Sequence, residues 1–474
     1  MQKPAGSRKA TVFNMEALEK KLRQLQPYLE QNQDIKMRRI AGKPQCSAVI
    51  FLEGMTDQQL LEQDVIRYLL LAENIRDIRE ALSSAMLSAQ QTPVYTLSEM
   101  TEALSSGLTL VLIDGVRGAL ALDLRDSASR SVGEPVLDKT ILGARDGFVE
   151  SVNTNVSLIR RRLRSNELCM KELNLGSKSQ TKTAVLYMEN KADPAQVEEL
   201  LKRLQAMKLP AVLTVGNVQP VISDQKSIFP TLKTVERPDT VCSLLLKGKI
   251  AVICDGQPLA MVCPIAFSEL FESPNDAAVT KPLGGIMTAV RMICFLLTLT
   301  LPALYLSVLN FNRTLLPDQL SAMLIQAESL VPFSLFAELL LVDFLVVLTF
   351  EVGISLPTTL GGTIGIFGSI ILGQALVSSR FTSEATMLVV IVAAMCCYII
   401  PNYPLTDTAR LLRYFVLAAA ACFGMVGTGI AVLLILIRLF SLTSLGEPYF
   451  RIPHPKRKAE TLSIQTYKEM HGEK

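Results

Sequence analysis

The feature that most constrains this chain is a division of hydropathy: nearly all its long apolar runs fall between residues 284 and 440, and most of its charge falls before 280. About 20 consecutive, mostly apolar residues can cross a bilayer as a helix, because the helix satisfies its own backbone where no water can. Stretches of this kind occupy 284–309, 331–350, 361–379, 385–401 and 411–440. The mean hydropathy of +0.33 is too high for an ordinary soluble protein and too low for one wholly within a membrane.

Basic residues orient such segments. Arg451, Lys456, Arg457, Lys458, Lys468 and Lys474 follow the last run and place the tail in the cytoplasm, whereas 310–330 holds only Arg313 and reads as external. The first residues carry basic side chains but no apolar core behind them, so they are no signal peptide. With both ends cytoplasmic, four full spans and one in-plane or re-entrant helix are expected. The odd helix is 331–350, which contains Glu338 and Asp343 and runs into Glu351. A carboxylate at mid-bilayer costs roughly 2.5–3.5 kcal/mol on the insertion scale. These acids read either as groups on a solvated interfacial face or as a ring drawing cations to a pore mouth.

The third stretch, LGGTIGIFGSIILGQALVSS, puts Gly361, Gly365, Gly368 and Ala375 on one helical face, where they allow close helix packing. Thr363, Phe367, Ile370 and Gln374 share another face. Polar ends around a bulky apolar middle suit a pore lining with a hydrophobic gate. On the residues alone, a tightly packed bundle helix whose Gln374 bonds a neighbour is equally open.

Ahead of the apolar half, the pattern alternates strand and helix. Residues 14–33 read as an arm or docking helix, followed by a basic linker ending near Lys43. SAVIFLEG is a strand, followed by a helix starting at Thr56 or Asp57; GLTLVLIDG and ALALDL form a hairpin turned at Asp114-Gly115. The order recurs as TAVLYMEN, a helix capped by Asp193 with Pro194 at its first position, and a hairpin turned at Asp255-Gly256. Ala48 matches Ala184 and Asp114 matches Asp255 at nearly the same offset, which points to an internal duplication. The expected architecture is an α/β soluble N-terminal region of two related subdomains with mixed sheets, then an all-α polytopic membrane domain of four to five hydrophobic helices. Boundaries are set at 1–44 for the arm, 45–150 and 151–280 for the subdomains, 281–445 for the membrane domain and 446–474 for a basic cytoplasmic tail.

Composition excludes several classes of chemistry. Both histidines lie in the tail, so the first 280 residues hold no histidine for acid–base or nucleophilic work. No glycine-rich phosphate loop is present. The nine cysteines form no CxxC pair, which argues against a structural metal and suits a reducing compartment. A net charge of +3 implies no nucleic acid partner. No enzyme and no cofactor are expected.

The run Glu351-Val-Gly-Ile-Ser-Leu-Pro357 with LGGTIGIFGSIILGQALVSS resembles the signature of the GerA family, the A subunits of bacterial spore germinant receptors. IIPNYPLTDTARLLRYF (399–415), FSLTSLGEPYF (440–450), GFVESVNTNVSLIRRRLRS (147–165), LGSKSQTKTAVLY (175–187), ERPD (236–239) and KGKIAVICDGQPLAMVCP (247–264) are similar to further motifs of that family. Val347, Phe350 and Ser355 stand where members often carry Glu or Arg, and 272–279 lacks the aromatic pair that usually follows its Asp. The resemblance implies a homo-oligomerising subunit in the lipid of the spore inner membrane, partnered by an APC-transporter-like B subunit and a lipoprotein C subunit. It implies a channel releasing cations when nutrient binds, with 361–379 lining it. An accessory component similar to stage V sporulation protein AF is the alternative. A secondary transporter or a non-conducting scaffold is a more distant rival.

Overall fold

The computed structural model describes residues 18–41, 45–71, 91–125, 143–355 and 370–451, with single positions 133, 135, 140 and 368. Contacts divide the chain into two units. One comprises Met1–Lys226, Leu232–Ile265 and Pro274–Lys281; the other comprises Ser227–Thr231, Ala266–Ser273 and Pro282–Lys474.

The first unit holds two α/β copies. In the first copy, α1 (Leu18–Gln31) precedes strands β1 (Ile35–Ala41) and β2 (Cys46–Leu52). Helix α2 follows as three pieces, Gln58–Leu60, a π-helical turn Leu61–Ile66 and Arg67–Leu71. Then come β3 (Gln91–Val94), α3 (Leu97–Ser105), β4 (Thr109–Ile113) and β5 (Ala119–Leu122). The second copy runs α4 (Val152–Arg162), β6 (Leu168–Leu175), β7 (Thr181–Met188), α5 (Pro194–Gln205), α6 (Val215–Ile222), β8 (Lys233–Val235), α7 (Pro238–Leu246), β9 (Ile250–Cys254) and β10 (Ala260–Cys263).

The sheets are ordered β1-β2-β4-β5-β3 and β6-β7-β9-β10-β8, so the repeated element order is also a repeated strand order. Ala48 pairs with Leu112 and Ala184 with Ile253, at equivalent places in the two sheets. Among the described residues every ladder within the two sheets is antiparallel, which corrects the expectation of mixed sheets; the isolated Asn32–Met170 bridge is parallel. Each helix–strand–helix excursion carries β3 or β8 to the far edge instead of inserting a parallel neighbour.

Residues 35–41, read as a basic linker, are edge strand β1. An edge strand is hydrogen-bonded on one side only, and exposed basic residues such as Arg38 and Arg39 discourage further pairing. Helix α1 is part of the first copy's core: Leu18, Leu22 and Leu25 pack with Ile50, Leu104 and Leu112 on one face of the sheet. Val49, Phe51, Leu61, Val65 and Val111 fill the other face. Burial on both faces is why SAVIFL is continuously apolar rather than alternating.

The turn aspartates have a role beyond the turn. Asp114 Oδ1 accepts from Leu18 N at 2.8 Å, and Asp255 Oδ1 accepts from Val152 N at 2.9 Å, so each holds the first helix of its own copy at its N-terminal end. The copies are joined by Arg160, which is 1% exposed. Its Nε and one terminal nitrogen donate to the Asp34 carboxylate at 2.6 and 2.9 Å. The same terminal nitrogen donates to Asn32 Oδ1 at 2.8 Å, and the other donates to Leu168 O at 3.2 Å. Gly54 (φ +83°) completes the joint, because a Cβ there would sit 2.9 Å from Asn153 O.

The second unit is helical: α8 (Lys281–Phe311), α9 (Asp318–Ser329), α10 (Leu335–Ser355), α11 (Glu384–Tyr398) and α12 (Tyr403–Ser441), with 370–378 also helical at the described positions. Among the described residues, two helices are long and apolar enough to cross a membrane, Pro282–Phe311 and Tyr403–Ser441; Glu384–Tyr398 is apolar but shorter. The last apolar run is not one uninterrupted span. Gly424 breaks it with φ 60° and ψ −140°, a conformation glycine alone adopts readily. Any Cβ at Gly424 would also lie 2.8 Å from the Phe311 ring.

Candidate functional site

Three carboxylates rise from α10, and the structure separates their roles. Glu338 is 1% exposed. Its Oε1 accepts from Thr382 Oγ1 at 2.9 Å and from Ser383 N at 2.6 Å. Ser383 is the N-cap of α11 and accepts from Thr386 N at 3.2 Å. Glu338 therefore adds a carboxylate to a helix N-terminus, where exposed amide dipoles favour negative charge.

Asp343, about a turn and a half further on, is 4% exposed and faces Arg413 of α12, whose terminal nitrogen lies 2.5 Å from Asp343 Oδ1. The approach is ionic rather than an aligned hydrogen bond. Among the described residues neither carboxylate oxygen, nor Arg413 Nε or Nη1, has an aligned hydrogen-bond partner, and Tyr414 lies beside both groups. Of the three acids only Glu351 is exposed. The solvated-face reading of Glu338 and Asp343 is thus corrected: both are turned inward because α11 and α12 supply their partners. Arg413 was missed from sequence. Its signal was a second arginine in an apolar helix, a charge that needs a buried counterpart.

The end of α10 is tied to the same neighbours. Phe350 stacks on Tyr398 with centroids 4.7 Å apart, and the Arg410 guanidinium lies 4.2 Å from the Phe350 ring centre. Arg410 also pairs with Asp407 at 3.1 Å. Phe350, one of the departures from the family pattern, is therefore part of a cation–π stack joining α10, α11 and α12.

Between α10, 370–378 and α11 lies an apolar cavity of about 300 Å³, lined by Val342, Leu345, Thr349, Leu372, Gly373 and Met387 among others. Gly373 makes the close approach, since a Cβ there would lie 2.8 Å from the Met387 methyl. Gly368, expected in a packing seam, has nothing within 4 Å of the Cβ position among the described residues. Ile370 and Gln374, expected to line a pore, are both exposed. Thr363, Phe367, Gly361 and Gly365 lie outside the described residues.

The α/β unit carries a polar groove of about 760 Å³ where its two copies meet, lined by Lys36, Arg38, Glu53, Asp57 and Asn153 among others. Lys36 and Lys182 each pair with both Glu53 and Glu172, at 3.2 to 4.0 Å.

A family model described as Bacillus/Clostridium GerA spore germination protein matches residues 23–470. Spore germination protein B1 of Bacillus subtilis (strain 168) is 32% identical over 438 residues, covering 91% of this chain and 90% of the relative. Spore germination protein GerLA of Bacillus cereus is 32% identical over 434 residues, covering 90% and 88%. The crystal structure of the N-terminal domain of the A subunit of the Bacillus megaterium spore germinant receptor GerK3 matches with a TM-score of 0.43 at 23% identity, over 55% of this chain and 99% of that one.

Proposed function

The chain belongs to the Bacillus/Clostridium GerA spore germination protein family, and on that premise we propose that it is the A subunit of a spore germinant receptor. It sits in the spore inner membrane with its α/β unit and tail in the cytoplasm. It works with an APC-transporter-like B subunit and a lipoprotein C subunit, and several copies together form a cation pore opened when nutrient is sensed.

The observation that carries the pore reading is the open face of 370–378. Ile370 and Ile371 are 60% and 65% exposed, and Gln374 is exposed beside them, while Gly373 packs against Met387. An amide on an otherwise apolar membrane face needs a polar neighbour, either a second copy or a wet lumen. The Asp343–Arg413 pair, on α10 and α12, supplies charges that could be re-partnered when the helices shift.

The test is cation flux through the purified full-length chain in lipid vesicles, with cysteine placed at Gln374 or, as a lipid-facing control, at Leu433. Flux that a charged thiol reagent reduces at 374 and leaves intact at 433 supports the lining. Flux no greater than in empty vesicles, or equal sensitivity at both positions, removes 370–378 from the pore.

A further inference from the structure

The motif FSLTSLGEPYF, residues 440–450, has no part in the site above, yet it folds back on itself after α12. Thr443–Ser444 pairs with Glu447–Pro448 through a turn in which Leu445 and Gly446 take φ of 47° and 78°. This hairpin delivers Tyr449, whose side chain is fully buried. Tyr449 Oη donates to Pro230 O at 2.7 Å, and Ser444 Oγ donates to Thr231 O at 2.7 Å. The Tyr449 carbonyl accepts from Phe267 N at 2.8 Å.

One short hairpin therefore grips two separate segments, 227–231 and 266–273. In the chain the first runs between α6 and β8, and the second directly follows β10. Both are also bonded to long helices. Thr408 Oγ1 of α12 donates to Ile228 O at 2.7 Å, and Arg291 of α8 donates to Phe271 O at 3.0 Å. Phe267 is the centre of the packing, with ring centroids 5.1 to 6.3 Å from Phe229, Phe271, Phe295, Tyr449 and Phe450. The first four pairs are edge-to-face and Phe450 is tilted, packing that favours one mutual arrangement of the rings.

We propose that residues 440–450 are a coupling latch, tying the 227–231 and 266–273 segments to each other and to α8 and α12. Displacement of either segment is then delivered to the two long apolar helices. The chemistry explains why position 449 is Tyr and not Phe: the ring fills the aromatic cluster, and the hydroxyl satisfies a carbonyl on buried Pro230 that would otherwise be stranded. The coupling itself stands apart from the receptor reading; that nutrient sensing uses it rests on that reading.

The experiment compares Tyr449→Phe, Ser444→Ala and the double variant in the full-length chain. Amide hydrogen exchange in detergent is read first. Each lost bond is expected to speed exchange at 227–231 about fivefold, with a parallel rise at 266–271, which neither hydroxyl touches directly. A rise confined to 227–231, or no rise, overturns the latch. In spores, the double variant should keep normal chain abundance and resting potassium retention while nutrient-evoked potassium release slows about tenfold. Unchanged evoked release despite faster exchange would deny the latch its role in signalling. If the double variant is lost from the membrane, Ser444→Ala carries the same readouts at one bond. A deletion strain that releases potassium normally to every nutrient would sink the receptor reading and leave the exchange result standing.

Discussion

The two units each bury an arginine–aspartate pair, and they do it differently. In the α/β unit Arg160 meets Asp34 through two aligned bonds, and its remaining donors reach Asn32 and the Leu168 carbonyl. In the helical unit Arg413 approaches Asp343 through one terminal nitrogen, with Tyr414 beside both, and among the described residues Nε, Nη1 and both carboxylate oxygens lack aligned partners. A fully bonded buried pair fixes one arrangement, since any movement strands charges in a medium that cannot solvate them. A pair with fewer aligned bonds is held less specifically, although its charges are just as buried and still need partners. The joint between the two α/β copies is accordingly specified by four donated bonds, whereas in the helical pair a change of partner would break fewer aligned bonds.

Removing Arg160 should have the largest effect. Arg160→Met leaves Asp34 buried and unpaired and should cost about 3–5 kcal/mol, read as a fall in the urea midpoint of the full-length chain in detergent. An unchanged midpoint would abolish the contrast. Next comes the paired replacement Asp343→Leu with Arg413→Met, expected to shift stability by about 1 kcal/mol or less, because both charges leave together. Nutrient-evoked potassium release should nevertheless change in that variant. Severe destabilisation would show that the pair is as structural as Arg160–Asp34.

The equivalence of the two copies can be sharpened with their turn aspartates. Asp114→Ala and Asp255→Ala each remove one acceptor from the start of a helix and should each cost about 1 kcal/mol. Markedly unequal losses would mean that the repeated strand order does not carry repeated energetics. The smallest effect concerns thiols. Burial pushes Cys169 up from 9.0 to about 11 and Cys242 to about 12, whereas Cys46 is exposed. At pH 8 Cys46 should be alkylated in the folded chain while Cys169 and Cys242 are spared, as read by mass spectrometry. Because the folded values are raised, their contribution is complete below the unfolded value near 9 and is lost as pH climbs through 11 to 12. Stability rising over that range would contradict the assignment.

The central strands were legible because burial on both faces wrote them as unbroken apolar runs, as in SAVIFL and KIAVIC. Edge strands β1, β3, β6 and β8 were not, because one-sided pairing tolerates Arg38, Lys171 and Pro93. The mixed-sheet expectation failed for a related reason: strand direction is set by distant partners, and local composition does not encode it. In the helical unit Glu338 and Asp343 stood out as charges in an apolar run. Their partners Thr382 and Ser383 lie in the turn that caps α11 and Arg413 on α12, so only the fold could bring them together. Gly424 sat in a glycine-rich run but did not read as a break, since a lone glycine in an apolar helix is common.

The receptor function itself is tested most directly by potassium release from spores lacking this chain, challenged with amino acids, sugars and nucleosides in turn. A receptor A subunit predicts that release to one nutrient class is lost while the others proceed normally. Release that is normal to every class would contradict it.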